Sequence, residues 1–292
     1  MHIRKLLDLN RPTLSFEFFP PKDDIGFFDL YHTIEALKPL EPSYVSVTYG
    51  AAGTTRRKTI ELVERIKRNL GIEAMAHLTC VGADQAEIGR VLDDLKANKI
   101  ENVLALRGDP PQGQAEFVAP EGGFRYASEL VSFIRERWPD VCIGGACYPE
   151  GHPEAPSPAE DLENLKRKVD AGTDFVITQL FFDNADFYRF RERADAVGVK
   201  VPVIAGIMPV LSVKQIKRFT EMCGAAIPKS LLGMIEAVED DAEAVRQIGM
   251  YHATQQCLDL LKQDVAGIHF YTLNRSTATR AICQHIRALL TA

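Results

Sequence analysis

The sequence predicts an α/β protein folded as one (β/α)8 TIM barrel. Three observations carry this: eight short β-rich runs, a longer stretch of helical periodicity after each, and a spacing that suits one βα unit at a time. The runs fall at 14–18, 44–48, 74–79, 102–106, 141–146, 175–179, 202–205 and 267–271. Their starts lie 27 to 39 residues apart until the last gap of 65, which leaves room for an extra helix between strands seven and eight. A βα unit needs about 30 residues, and eight of them favour a closed barrel over an open sheet.

The first run, Ser15-Phe16-Glu17-Phe18-Phe19, alternates its faces and stops at Pro20-Pro21. Strand period two sets Phe16 and Phe18 toward the helices and Glu17 into the barrel mouth. Runs two to four end in Thr48-Tyr49-Gly50, His77-Leu78-Thr79 and Arg107-Gly108-Asp109-Pro110-Pro111. Run five leads into Tyr148-Pro149-Glu150-Gly151-His152-Pro153, followed by the clearest helix start in the chain. There Ser157 is the N-cap, Pro158 opens the first turn, Glu160 completes a capping box, and Gly172 ends the helix. Run six closes on Thr178-Gln179, run eight on Tyr271-Thr272-Leu273-Asn274-Arg275, and a final helix is expected over 276–290. No linker or low-complexity tract divides the chain, so residues 1–292 read as a single domain.

Composition narrows the function. The 292 residues are 46% hydrophobic and 25% charged, which is ordinary for a globular protein that buries a large core. Lys and Arg number 34 against 40 Asp and Glu, a net charge of -6 that argues against nucleic-acid binding. No apolar run approaches the length of a spanning helix, so no membrane association is expected. Six scattered cysteines without a CxxC pair suit free thiols in a reducing cytoplasm. GxGxxG, GxxxxGK, GxSxG and HExxH are all absent, and no second ligand stands at metal spacing beside His77, so no metal is expected.

Chemistry in such a barrel gathers at the carboxyl ends of the strands. A carboxyl group at the mouth beside Phe19 is expected to have its pKa raised by desolvation, which would suit Glu17 to proton donation; the alternative is a salt-bridged structural Glu. Arg107 and Asp109 flank a Gly that lets backbone approach a ligand, or else pair with each other. His77 is either a ligand contact or a satisfied core histidine. Asp161, Asn164 and Lys168, with Arg167 beside them, form a polar helix stripe that on an isolated helix would be solvated surface. Gln179 offers a donor and an acceptor together, as heterocycle recognition requires.

Taken together, SFEFFPPK from Ser15, VSVTYGA from Val45, HLTC from His77, ALRGDPP from Ala105, YPEGHPE from Tyr148, NLKRKVDAG from Asn164, ITQLFFD from Ile177 and HFYTLNR from His269 resemble the methylenetetrahydrofolate reductase family. The motifs keep their order over nearly the whole chain. The resemblance implies a flavoprotein that binds FAD and uses NADH or NADPH to reduce 5,10-methylenetetrahydrofolate to 5-methyltetrahydrofolate by ping-pong hydride transfer, feeding methionine synthesis. It implies Glu17 as the acid and Asp109 as the carboxylate near flavin and pterin. Gln179, Tyr271 and Arg275 would meet the folate. Thr48, His77, Arg107, Tyr126, Ala127, Tyr148, His152, Asp161, Asn164, Arg167 and Lys168 would contact FAD. Val213 stands where the family often supplies a stacking aromatic. Rival readings are an FAD barrel that oxidises amines and a flavin or folate binder without catalysis. Because the chain ends just after the last barrel helix, it is expected to lack the regulatory domain of larger relatives and inhibition by adenosylmethionine. Oligomeric state, a homo-oligomer included, is left open.

Overall fold

The computed structural model describes residues 1–9, 11–21, 23–49, 53–110 and 117–290. Eight parallel strands close on themselves in sequence order: β1 (Thr13–Phe18), β2 (Tyr44–Val47), β3 (Ala74–Thr79), β4 (Asn102–Leu106), β5 (Cys142–Cys147), β6 (Phe175–Thr178), β7 (Val203–Ile207) and β8 (Gly267–Tyr271). Pairing of β1 with β8, Ser15 opposite His269 and Glu17 opposite Tyr271, completes the ring. The (β/α)8 barrel read from the sequence is therefore the observed fold. Strand seven starts one residue later than expected because Pro202 has no N–H for the ladder, although its carbonyl still accepts from Val176 N at 2.9 Å. Gly50, Ala51, Lys22 and Pro111 of the sequence motifs lie outside the described residues.

Helices α1 (Ile3–Leu7), α2 (Asp24–Leu37), α3 (Gly53–Arg65), α4 (Gln85–Ala97), α5 (Ala127–Arg137), α6 (Pro158–Asp170), α7 (Asn184–Ala196), α8 (Val213–Cys223), α9 (Lys229–Glu236), α10 (Ala242–Lys262) and α11 (Thr277–Leu290) surround the barrel. The long gap between β7 and β8 holds α8, α9 and α10, one helix more than the single addition expected. Ser157 caps α6, accepting from Glu160 N at 3.2 Å, but the Glu160 side chain does not return a bond to Ser157 N, so the expected capping box is only half formed. The short helix α1 was not legible. It contributes Ile3, fully buried, to a cluster with Tyr44, Met75, Leu104, Cys142 and Phe175, and Ile3 N donates to Asn102 Oδ1 at 2.8 Å.

Strand parity divides the core into two shells. Phe16, Phe18, Val45 and Val47 point outward and pack with Leu30, Ile34 and Leu62 of the surrounding helices. The intervening residues point inward, where the Ile3 cluster fills the lower barrel. Gly144 is required there, since a Cβ would come within 2.8 Å of the Phe175 ring and 2.9 Å of Leu104 Cδ1. Above this layer the inward positions turn polar, and the mouth begins.

Candidate active site

Glu17 lies where strand parity puts it, inward at the carboxyl end of β1, with its side chain 21% exposed. Its Oε2 is 3.5 Å from His77 Nε2 on β3 and 3.6 Å from His269 Nε2 on β8. Burial pushes the carboxyl up, yet the hydrogen bond from His269 and the charges His77 and His269 can carry outweigh it, so Glu17 sits below the usual carboxylate range. This reverses the raised value expected from desolvation alone. The sequence reading placed Glu17 beside apolar Phe19, whereas the fold places two imidazoles against it. Burial also pushes His77 down to about 4, ahead of the opposing pull of Glu17, and its Nε2 is buried without a hydrogen-bond partner among the described residues.

Below Glu17, His269 is fully buried, with Nδ1 2.8 Å from Ser15 Oγ and Nε2 3.5 Å from Ser46 Oγ. Tyr44 stacks on its ring at 6.3 Å. His269, quoted only as part of a motif, was not singled out as a functional residue. Its signal was the shared inward parity of Ser15 and Glu17 on β1 and His269 on β8, which becomes informative only once β1 and β8 are known to pair.

On the same rim Tyr271 is half-buried and its hydroxyl donates to Thr178 O at 2.6 Å. The ring lies over Gly206, where a Cβ would meet Thr178 O at 2.3 Å and Tyr271 Cε2 at 2.7 Å. Gln179, next along from β6, is half-buried and its Oε1 accepts from Leu180 N at 2.9 Å, which leaves the amide NH2 to face a ligand. Arg275 is exposed in a turn fastened to the β1 loop: Phe19 N donates to Asn274 Oδ1 at 3.0 Å and Asn274 Nδ2 donates to Phe19 O at 2.9 Å. Val213 follows β7, in a cluster that also packs against Tyr271 of the rim. It opens α8, 9% exposed, packed among Leu180, Phe182, Met208 and Ile216.

The second half of the rim follows β4 and β5. Gly108 has φ +85, and a Cβ there would approach Val81 Cγ2 to 2.5 Å, so only Gly lets the chain turn so close to β3. Arg107 does not pair with Asp109. Its guanidinium holds Glu154 in a bidentate ion pair, Nη1 to Oε2 at 2.5 Å and Nη2 to Oε1 at 2.6 Å, and lies 5.3 Å from the Phe117 ring centroid. Glu154 was missed because it lies 47 residues away along the chain. Asp109 remains exposed, close enough for its charge to act on Arg107 and Tyr148.

Tyr148 and His152 meet edge to face at 4.6 Å, and burial lowers His152 while raising the Tyr148 phenol. The α6 stripe divides by environment. Asp161 is half-buried and raised by that burial, while Asn164 and Arg167 are exposed and joined by Arg167 Nη1 to Asn164 Oδ1 at 2.9 Å. Lys168 reaches inward to donate to Ala146 O, and burial lowers its ammonium. Thr48 follows β2, with its N–H donating to Phe18 O at 2.8 Å. Tyr126 and Ala127 open α5, where Glu129 Oε2 accepts from Tyr126 N at 3.1 Å. Cavities of about 450 Å³ beside Ser212 and Lys217, and of about 510 Å³ beside Lys67 and Trp138, lie away from Glu17.

Comparison with known proteins agrees with the motifs. A family model described as methylenetetrahydrofolate reductase matches residues 2–287. The 5,10-methylenetetrahydrofolate reductase of Escherichia coli is 43% identical over 270 residues, covering 92% of this chain and 89% of its own. Methylenetetrahydrofolate reductase (NADH) 1 of Zea mays is 38% identical over 297 residues, covering 97% of this chain and 50% of its own. The chain thus spans about half the length of the plant relatives it matches. Among solved structures, a Clostridium thermocellum protein that binds two copies of 5-methyl-5,6,7,8-tetrahydrofolic acid superposes with a TM-score of 0.68 at 17% identity, covering 99% of this chain and 98% of its own, a likeness of fold.

Proposed function

Because the chain belongs to the methylenetetrahydrofolate reductase family, we propose that it reduces 5,10-methylenetetrahydrofolate to 5-methyltetrahydrofolate, with FAD bound and NADH or NADPH as the hydride source. The observation that carries the reading is Glu17, a carboxyl group held at the mouth between His77 and His269 on a barrel of this family. The plant relatives named for NADH support that nicotinamide as the first to try. The proposal treats residues 1–292 as one catalytic domain working in the cytoplasm. Six unpaired cysteines support a reducing compartment, and among the described residues no helix is long and apolar enough to cross a membrane.

The residues present fit a flavin dinucleotide. His77 Nε2 is a buried polar atom without a hydrogen bond beside the mouth. Arg167 and Lys168 supply cations for a diphosphate, Arg107 would add a third by exchanging Glu154 for phosphate, and Asp161 and Asn164 supply acceptors for ribose hydroxyls. Thr48, Tyr126, Ala127, Tyr148 and His152 complete the rim that would hold it. When bound, FAD supplies the capacity to take hydride from a reduced nicotinamide and return it to folate in a separate half-reaction.

The protein groups then act on the folate. Gln179 binds the pterin amide edge, and Tyr271 and Arg275 border the rest of the molecule. Glu17 Oε2, whose carboxyl is held low and so takes its proton from solvent, passes that proton to the folate nitrogen whose bond to the bridging methylene breaks, which opens the five-membered ring. Asp109 stabilises the cationic iminium left behind, and the hydride arrives at its methylene carbon. The test is direct: the purified protein should be yellow, bleach with NADH or NADPH, and regain colour with methylenetetrahydrofolate. Bleaching without recovery would leave a nicotinamide oxidase and sink the folate reading. The product is the methyl donor that serves methionine synthesis in this family.

A further inference from the structure

We propose that Tyr271 is the positioning residue for Gln179: its hydroxyl, laid across Gly206, pins the peptide that carries Gln179 and so aims the amide that reads the pterin. The inference rests on the reading of Gln179 as the pterin contact and deepens it. The carbonyl of Thr178 and the N–H of Gln179 are the two ends of one planar peptide unit. The N–H donates to Cys147 O of β5 at 2.7 Å, and the carbonyl accepts from the Tyr271 hydroxyl of β8 at 2.6 Å. With both ends bonded the plane is held against rotation, and Gln179, which shares the inward parity of Ile177, keeps its direction into the mouth. The side chain is fixed at its far end as well, because Oε1 accepts from Leu180 N at 2.9 Å and leaves the NH2 group to donate.

The neighbouring strands make this hydrogen bond possible. The β6–β7 ladder ends at the pair of Ile177 with Ile204, and the next donor along β7, Gly206 N, turns instead to Thr178 Oγ1 at 2.9 Å. Thr178 O is thereby left to the phenol, and because Thr178 is fully buried, solvent does not compete for it. Gly206 stands at an inward position of β7 that any side chain would close to the ring, since a Cβ there would come within 2.7 Å of Tyr271 Cε2 and 2.8 Å of its hydroxyl oxygen. His269 meets the Tyr271 ring edge to face at 5.5 Å, and Glu17 stands opposite Tyr271 on β1. Burial, followed by the charge of Glu17, pushes the phenol up, so it remains a donor at neutral pH. The hydroxyl has one proton, and Thr178 O takes it. Tyr271 therefore offers folate its ring but no donated hydrogen bond, and the residue that faces the acid also sets where Gln179 holds the pterin.

Binding of 5-methyltetrahydrofolate to the purified protein tests this in a double-mutant cycle. Tyr271→Phe removes one oxygen and keeps the ring. It should raise Kd about tenfold when Gln179 is present, and by no more than about twofold in a Gln179→Ala background, where there is no amide left to aim. The same factor in both backgrounds would make the hydroxyl a direct folate contact or a support of the fold alone, and no change in either would mean that the peptide needs no pin; each overturns the proposal. A second readout needs no folate. The side-chain NH2 signals of Gln179, assigned by NMR from their loss in Gln179→Ala, should shift or broaden in Tyr271→Phe, and signals that stay where they are overturn the proposal too. Should Tyr271→Phe not fold, Gly206→Ala replaces it, because the added Cβ and the ring cannot share that space, and the same dependence on Gln179 is expected. Should the wild-type protein fail to bind 5-methyltetrahydrofolate, the functional reading falls, while the NH2 signals still decide whether the phenol aims Gln179.

Discussion

Replacing Glu17 with Gln keeps the size and hydrogen-bonding capacity of the side chain and removes its transferable proton. General acid catalysis is worth about a hundredfold to ten-thousandfold, or roughly 2.7 to 5.4 kcal/mol of barrier. Neither His77 nor Tyr271, among the described residues, softens the loss. His77, 3.5 Å away, is pushed down to about 4 by burial and has no proton to spare on Nε2 near neutrality if Nδ1 holds its hydrogen. The Tyr271 hydroxyl commits its proton to Thr178 O at 2.6 Å, and its phenol is shifted up, away from acidity. The folate half-reaction should therefore fall at least about a hundredfold, roughly 2.7 kcal/mol. Flavin reduction by nicotinamide, which needs no such proton from Glu17, should survive. The cost to the fold should be small but real, because a carboxyl lowered in the native state contributes stability at neutral pH that is lost as pH falls through its folded value. Stopped-flow absorbance of each half-reaction measures both rates. Equal losses in the two, or a folate half-reaction that proceeds normally, would refute the assignment.

Three further outcomes follow from the site. Arg167→Ala should lower flavin content with little effect on apo stability, because Arg167 is exposed and touches Asn164. Lys168→Ala should also cost the apo protein about 1 to 3 kcal/mol by leaving Ala146 O without its partner, so comparing flavin content and apo melting of the two variants separates binding from folding. Asp109→Asn should raise the flavin reduction potential by removing a nearby negative charge, while slowing hydride transfer to folate and weakening folate binding; potentiometry showing no change, with normal folate reduction, would leave Asp109 a loop residue. Finally, His77 should make the fold acid-sensitive. Its folded value of about 4 lies below an unfolded value near 6.5, so the unfolded state binds more protons between the two and stability drops as pH falls across that window, by roughly 3 kcal/mol in all. Urea unfolding of His77→Gln should show a flatter pH dependence there, and an unchanged slope would deny His77 its buried neutral state.

What was legible in the sequence depended on range along the chain. Strand alternation at Phe16, Glu17 and Phe18, and the cap at Ser157, are set by residues within one element, so they could be read directly. Readings that depended on a partner from another element fared differently. Arg107 was offered Asp109, two residues on, and found Glu154 in the loop after β5. The α6 stripe looked uniform, yet Lys168 turns in to the end of β5 and Arg167 turns out to solvent. The gap before β8 was long enough for helices but did not say that there would be three.

The sequence by itself determined the barrel, the parity that aims Glu17 inward and the ordered rim motifs that mark the family, because periodicity and punctuation are local properties of the chain. Only the tertiary structure decided the protonation chemistry. Closing β1 against β8 brings His269 to Glu17 from more than 250 positions away, and the position of β3 adds His77. Desolvation is a property any inward carboxyl shares, and alone it would raise the pKa of Glu17. The charges and donors that reverse its direction arrive from other strands, and a Coulomb interaction depends on separation in space rather than along the chain.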